Sequence, residues 1–159
     1  EHPSIIASYL WNTFDFAVPM WGRGGVPARN LKGLVTFDRK IKKDSYFWYK
    51  ANWSKDPVLY LTQRRNTERE KKVTSVTIYS NIGTPKVYLN GQELNGIRKG
   101  YTDVHYVFDE VTLNNGKNTL TAIVRYKGKE YKDEIEWNYT GEKKREADSY
   151  VNKSVHAGW

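Results

Sequence analysis

Cysteine is missing from the whole 159-residue chain, so neither a disulfide framework nor a thiolate metal site is available to it. Histidine is scarce: His2, His105 and His156 stand far apart, none has the HExxH spacing of a helical zinc site, and no metal or cofactor is expected. No apolar run approaches the ~20 residues needed to span a bilayer as a helix, so no membrane span is expected. The chain begins at Glu1 without Met or a charged-then-apolar leader, and a targeting signal is expected to be absent or already removed.

A concentrated block of positive charge is also lacking, although the formal net charge is +8. Residues 1–56 carry 9 basic and 5 acidic side chains, residues 57–140 carry 13 and 10, and residues 141–159 carry 4 and 3. The densest basic stretch, Arg64 to Lys72, is interrupted by Glu68 and Glu70, whereas a nucleic-acid footprint clusters Lys and Arg on one face. Nucleic acid is therefore excluded as the expected partner.

Aromatic side chains are abundant, with 6 Trp and 12 Tyr, and such rings serve either a core or stacking on the apolar faces of sugars. Ile5, Ile6, Ala7, Tyr9 and Leu10 form a short, nearly continuous apolar run, the pattern of a strand covered on both faces. Trp11 then falls at the strand's C-terminal end, where barrels of alternating strands and helices place substrate. The alternative, Trp11 as plain core, stays open on periodicity alone.

A loop rich in Gly and Pro follows from Ala17 to Asn30, carrying Trp21, Arg23 and Arg29, and loops of this length are commonly functional or disordered. Gly33 to Arg39 reads as a turn and brief extended segment, and Lys40 to Lys43 as a solvated charge run. Asp44 stands at an expected N-cap, with a helix from Ser45 through Trp53 presenting Phe47, Trp48, Lys50 and Ala51. Asp15 is expected to anchor loop backbone amides, with catalysis the lesser reading. Asp38 and Arg39 are expected to form a structural ion pair.

From Asp56-Pro57 the period changes to two. Strands are expected over Val58–Thr62, Val73–Tyr79, Val87–Leu89, Val104–Phe108, Val111–Leu113, Leu120–Val124 and Glu130–Tyr139, with Asn90-Gly91, Asn115-Gly116 and Lys127-Gly128-Lys129 as turns. Such evenly spaced strands indicate a mainly β fold, an immunoglobulin-like antiparallel β-sandwich without the Cys pair of antibody domains. Tyr88, Tyr101, Tyr106 and Trp137 are assigned to core or interdomain contact. The expected domains are residues 1–56, residues 57–140 for the sandwich, and a polar tail or linker over 141–159. Residues 5–53 bury too little apolar area to order themselves unless they dock on the sandwich or on another copy in a homo-oligomer.

Three strings carry a family resemblance: Trp11-Asn12-x-x-Asp15-Phe16, Arg29-Asn30-x-Lys32-Gly33-Leu34-Val35-x-x-Asp38-Arg39, and the helix Lys43-Asp44-x-Tyr46-x-x-Tyr49-Lys50-Ala51-x-Trp53. Together they resemble the end of the catalytic domain in glycoside hydrolase family 2, which holds bacterial β-galactosidases and β-glucuronidases. Ser80-Asn81-x-Gly-x-Pro-Lys-Val-Tyr-Leu-Asn90-Gly91 resembles the start of a β-sandwich that follows the barrel in that family.

The resemblance implies that residues 1–56 are the last strand, loop and helix of a (β/α)8 barrel. It implies a retaining two-carboxylate mechanism whose glutamates lie upstream of the matching segment, so this chain alone is expected to be inactive. Glu1 does not sit in the nucleophile motif. Trp11 matches the tryptophan flooring the subsite of the cleaved sugar, with a typically cis peptide after it. Asn30 and Lys32 match an Asn-x-Lys pair aimed at a substrate carboxylate in β-glucuronidases. The Arg-Asn-x-Lys-Gly string is shared with proteins described as β-galactosidases, so the implied activity is β-galactosidase-like first and β-glucuronidase-type second, with carbohydrate and the remainder of the parent enzyme as partners. A third reading is a non-catalytic glycan-binding or structural sandwich.

Overall fold

Alternation of inward apolar and outward polar residues, clearest in the final strand, builds most of the molecule. The structure is a computed structural model that describes residues 4, 7, 9–18 and 27–141. One sheet comprises β3 (Leu59–Leu61), β5 (Val73–Ser80), β8 (Arg98–Lys99) and β9 (His105–Thr112), in the order β3-β5-β9-β8. The other comprises β4 (Glu68–Arg69), β6 (Lys86–Leu89), β7 (Gln92–Glu93), β10 (Gly116–Tyr126) and β11 (Lys129–Tyr139), in the order β4-β11-β10-β6-β7. All neighbours are antiparallel except the short β11–β4 pair.

The two sheets enclose one core. Leu61, Val76, Ile78, Tyr106, Phe108 and Val111 come from the first sheet, and Val87, Leu120, Ala122, Ile135, Trp137 and Tyr139 from the second. On β11 the inward Ile135, Trp137 and Tyr139 alternate with Glu134, Glu136 and Asn138, as period-two patterning requires. Asp133 of β11 reaches across to the other sheet, accepting the Leu61 N–H at 2.7 Å and pairing with the Arg64 guanidinium.

The hairpin turns obey their chemistry. Asn90-Gly91 has φ of 50° and 85°, and Lys127-Gly128 has 50° and 75°. Both are the doubly left-handed pairs that match strand twist in two-residue hairpins. Asn90 also crosses to β10, its Oδ1 accepting the Thr119 N–H at 2.8 Å.

Two strand expectations change. Val104–Phe108 and Val111–Leu113 are not separate strands: β9 runs from His105 through Thr112 with a bulge. Against β5, Thr74 faces Val111 but Val76 faces Phe108, so β9 carries one extra residue at Asp109 or Glu110. The bulge turns both Phe108 and Val111 inward despite their odd spacing, which a strict alternation reads as a break. Tyr101, assigned to core or interdomain contact, is not part of the core: it is 94% exposed, because it lies in the bend between β8 and β9 rather than on a strand face.

The expected helix forms as α1 (Asp44–Trp53). Asp44 is its first residue rather than its N-cap. Lys43 occupies the cap position with no side-chain cap, and the Asp44 carboxylate is spent outside the helix, accepting the Tyr60 hydroxyl at 2.8 Å and the Gln63 N–H at 2.7 Å. Burial and this carboxylate together push the Tyr60 phenol well above its ordinary pKa. Phe47 stacks on Tyr60 with ring centroids 3.8 Å apart at 11°. Ala51, Val58 and Tyr60 form a second small core with Phe47, Tyr79 and Val104 against it. The helix thus lies on the outer face of the four-stranded sheet, the docking that ordering of this segment was expected to need.

The ring series continues from Tyr60 to Tyr79 and on to His105, whose centroid lies 5.6 Å from that of Tyr79. His105 Nδ1 accepts the Tyr101 N–H at 3.1 Å, and a Cβ on Gly100 would stand 2.2 Å from that nitrogen, so only glycine fits there. Burial, with the nearby Arg98 charge, lowers the His105 pKa below its ordinary value.

Two outcomes are expected. Trp137→Ala, which empties the largest fully buried site, lowers unfolding free energy by about 3–5 kcal/mol in denaturant titration. His105 is held neutral in the fold, so the unfolded chain binds more protons between the lowered folded pKa and about 6.5. Stability therefore falls as pH drops through about 6.5. The His105→Gln variant loses that part of the slope in denaturant titrations at a series of pH values.

Candidate functional site

The stretch from Asn12 to Val18 is a backbone spine held by two partners. Its far end forms β1 (Phe16–Ala17), paired with β2 (Arg29–Asn30) in the register Phe16 opposite Asn30. Its near end bonds to the Gly33–Val35 segment: Leu34 N–H donates to Asn12 O at 3.1 Å, Val35 N–H to Thr13 O at 2.9 Å, and Asp15 N–H to Val35 O at 2.9 Å. Of the strand expected before Trp11, Ile5 and Ile6 lie outside the described residues, and Ala7 is exposed and in no strand. Tyr9 and Leu10 are exposed and form no strand, because the ladder bonds begin only at Asn12. Trp21 and Arg23 also lie outside the described residues, as does the polar tail beyond Gly141.

Asp15 fastens this spine. Its carboxylate is buried, accepts the Gly33 N–H at 2.9 Å and pairs with the Lys43 ammonium at 2.6 Å. The same ammonium donates to Leu31 O at 3.0 Å. Asp15 is thus an anchor of loop amides, as read from the sequence. Lys43 is a correction, since the sequence places it in a solvated run while the fold makes it the partner of a buried carboxylate 28 residues away. Gly33 packs so tightly that a Cβ there would stand 2.1 Å from the Asp15 nitrogen.

Asp38 and Arg39 do not pair. The Asp38 carboxylate accepts the Thr36 hydroxyl at 2.5 Å and the Lys40 N–H at 3.2 Å, and these two bonds lower its pKa. Arg39, at φ 62°, instead lies over the Phe14 ring at 5.0 Å. The local turn at Thr36–Lys40 satisfies the carboxylate within its own loop, leaving the guanidinium free to cover an aromatic face.

Trp11 is 74% exposed, so it is not core within this chain. Its ring meets Phe16 edge-on at 6.2 Å and 88°, and the Trp11–Asn12 peptide is cis. Asn30, cross-strand from Phe16, is buried, and its Oδ1 accepts the Lys32 N–H at 3.0 Å. Lys32 is exposed, and among the described residues its ammonium has no hydrogen-bond or ion-pair partner. Phe16 therefore links Trp11 to Asn30, and the Asn30 amide fixes the backbone that carries Lys32. Chemically this surface offers an open indole face, a pinned turn and one unspent cation. Asp15, the buried carboxylate beside it, is committed to Lys43 and Gly33.

A β-sandwich with a helix and a strand-and-loop spine laid against it is the class of protein that this geometry defines. No family model matches the chain. A β-glucuronidase of Bacteroides fragilis is 34% identical over 140 residues, covering 87% of this chain and 20% of that protein. A solved Bacteroides fragilis structure, provisionally named a β-galactosidase, is 80% identical with a TM-score of 0.87, covering 93% of this chain and 22% of that one. An FMN-binding β-glucuronidase from Faecalibacterium prausnitzii L2-6 is 40% identical with a TM-score of 0.67, covering 82% and 19%. The chain is thus similar to β-glucuronidases and to a protein provisionally named a β-galactosidase, its structural neighbours being glucuronidases of the family 2 type, and it spans about a fifth of the length of these relatives.

Breaking the spine's anchor has an expected cost. Asp15→Ala leaves the Lys43 ammonium half-buried without its carboxylate, and removing one partner of such a pair costs about 3 kcal/mol. Hydrogen exchange of the Gly33 and Val35 amides then rises in step, while the amides of β10 and β11 keep their protection.

Proposed function

We propose that this chain forms the C-terminal part of a retaining exo-β-glycosidase, supplying the floor of the sugar subsite from residues 1–56 and a supporting sandwich from residues 57–140. Its sugar contacts are Trp11, Asn30 and Lys32. The open indole suits the apolar face of a pyranose ring. The acid and the nucleophile belong to the rest of the parent enzyme, because Asp15 is consumed structurally. Hydrolysis then follows the two-carboxylate route, with protonation of the leaving oxygen and attack at the anomeric carbon.

The substrate that the geometry favours is a β-glucuronide. The observation that carries this is the Asn30-x-Lys32 turn: a buried amide pins the backbone, and the ammonium it presents is unspent among the described residues. A fixed cation recognises a carboxylate, and a charge-assisted bond of this kind contributes about 1.5–3 kcal/mol. A galactoside has no carboxylate to meet it. The β-galactoside reading keeps support from the provisional name of the 80%-identical relative, so the experiment is built to separate the two.

In the parent enzyme, Lys32→Ala is expected to lower kcat/KM for nitrophenyl β-glucuronide by about 10–100-fold, the rate equivalent of that bond. Turnover of nitrophenyl β-galactoside stays unchanged. Equal losses on both sugars, or none on the glucuronide, remove the carboxylate clamp. Trp11→Ala is expected to depress both.

A further inference from the structure

A groove of about 640 Å³ runs between the Arg39–Asp44 segment and the sandwich. Trp11 is not among its lining residues. Five cations line it, Arg39, Lys40, Lys42, Arg64 and Arg65, against the two carboxylates of Asp44 and Asp133.

Both carboxylates are already engaged. Asp44 holds the Tyr60 hydroxyl and the Gln63 amide, and Asp133 holds the Leu61 amide and the Arg64 guanidinium. Three cations have partial commitments: Arg64 to Asp133 and the Tyr60 ring, Lys42 to the Tyr46 ring at 4.9 Å, and Arg39 to the Phe14 ring at 5.0 Å. The Lys40 ammonium and the Arg65 guanidinium have no hydrogen-bond acceptor among the described residues, and both are exposed. The groove therefore presents net positive charge over a partly apolar wall that includes Phe47, Ile41 and Leu59. Its volume is that of a small-ligand site.

The groove is mechanically tied to the proposed sugar site. Val35 bridges to Lys42 on one side and to Phe14 on the other, and Lys43 joins Asp15 to Leu31 O. Residues 31–43 therefore carry Lys32 at one end and the groove's Lys40 and Lys42 at the other.

We propose that this groove is a remote subsite for an anionic glycan, binding carboxylate or sulfate groups on sugar units beyond the one that is hydrolysed. The inference rests on the glycosidase reading above for its role, though not for its charge. Arg65 and Lys40 supply cations with no hydrogen-bond acceptor among the described residues, although the Lys40 charge also acts on the neighbouring Asp38 carboxylate; Arg64 and Lys42 add field, and the apolar wall takes the faces of the sugar rings. Clustered cations of this kind attract anions strongly at low salt and less as salt screens them.

The test is direct binding to the full-length enzyme by titration calorimetry, which needs no turnover. The probes are hyaluronan oligosaccharides, which bear carboxylates only, heparin oligosaccharides, which also bear sulfate, and neutral cello-oligosaccharides of equal length. Anionic probes are expected to bind at least tenfold more tightly than neutral ones, with affinity falling as salt rises. The Lys40→Ala/Arg65→Ala double variant is expected to weaken that binding about tenfold or more while leaving nitrophenyl glucuronide hydrolysis unchanged. Tighter binding of hyaluronan or of heparin identifies the anion. Equal binding of neutral and anionic probes, or a double variant that binds as tightly as the parent, overturns the proposal. An enzyme that binds anionic oligosaccharides through Lys40 and Arg65 yet hydrolyses neither nitrophenyl sugar retains the groove and loses the proposed activity.

Discussion

The contact on which the arrangement depends is the one between Asp44, Phe47 and Tyr60. A short helix of ten residues has little stability of its own, and α1 is aromatic on several sides, with Trp53 left 70% exposed. It is held because Phe47 stacks on Tyr60 while Asp44 accepts the Tyr60 hydroxyl and the Gln63 amide. One carboxylate and one phenol thereby fix both the rotation of the helix and its position along the sheet. The Lys43–Asp15 pair one residue earlier then transmits that position to the spine bearing Trp11.

This chain of supports separates rigid parts from exposed ones. The sandwich core is apolar, drawn from both sheets, and closed by Asp133 bonding across from β11. Among the described residues the spine has no comparable core: Leu10, Phe14, Leu31 and Phe37 remain substantially exposed. Its order comes from backbone bonds and the buried Asp15 carboxylate instead. Exposed aromatic surface of this extent marks a contact surface. The chain spans about a fifth of the length of the relatives it matches.

The relation of the proposed sugar site to the cationic groove follows from the same geometry. Both are carried by residues 31–43, pinned by Asp15, Lys43 and the Val35 bridges. Cations on the two ends of this segment differ in their neighbours. Lys32 stands beside a buried amide, while Lys40 and Lys42 face the sandwich with its Arg64 and Arg65. Formal charge spread thinly along the sequence is therefore gathered in space.

Local pattern was enough for the elements that obey it. Period-two alternation in Lys129–Tyr139 and the left-handed turns at Asn90-Gly91 and Lys127-Gly128 are properties of adjacent residues, so the sandwich could be read directly. The motif strings brought Trp11, Asn30 and Lys32 forward as candidates, and the role of Asp15 as an anchor followed from its chemistry. Other features depend on partners far along the chain. The β9 bulge is visible only against β5, Lys43 finds its carboxylate 28 residues away, and Asp44 serves Tyr60 rather than its own helix end. Charge pairs and cation–aromatic contacts have no sequence period, so Arg39 over Phe14 replaced the expected pair with Asp38. Alternation and turn chemistry are short-range and written residue by residue; which buried charge meets which partner is decided only when distant segments are brought within a few ångströms.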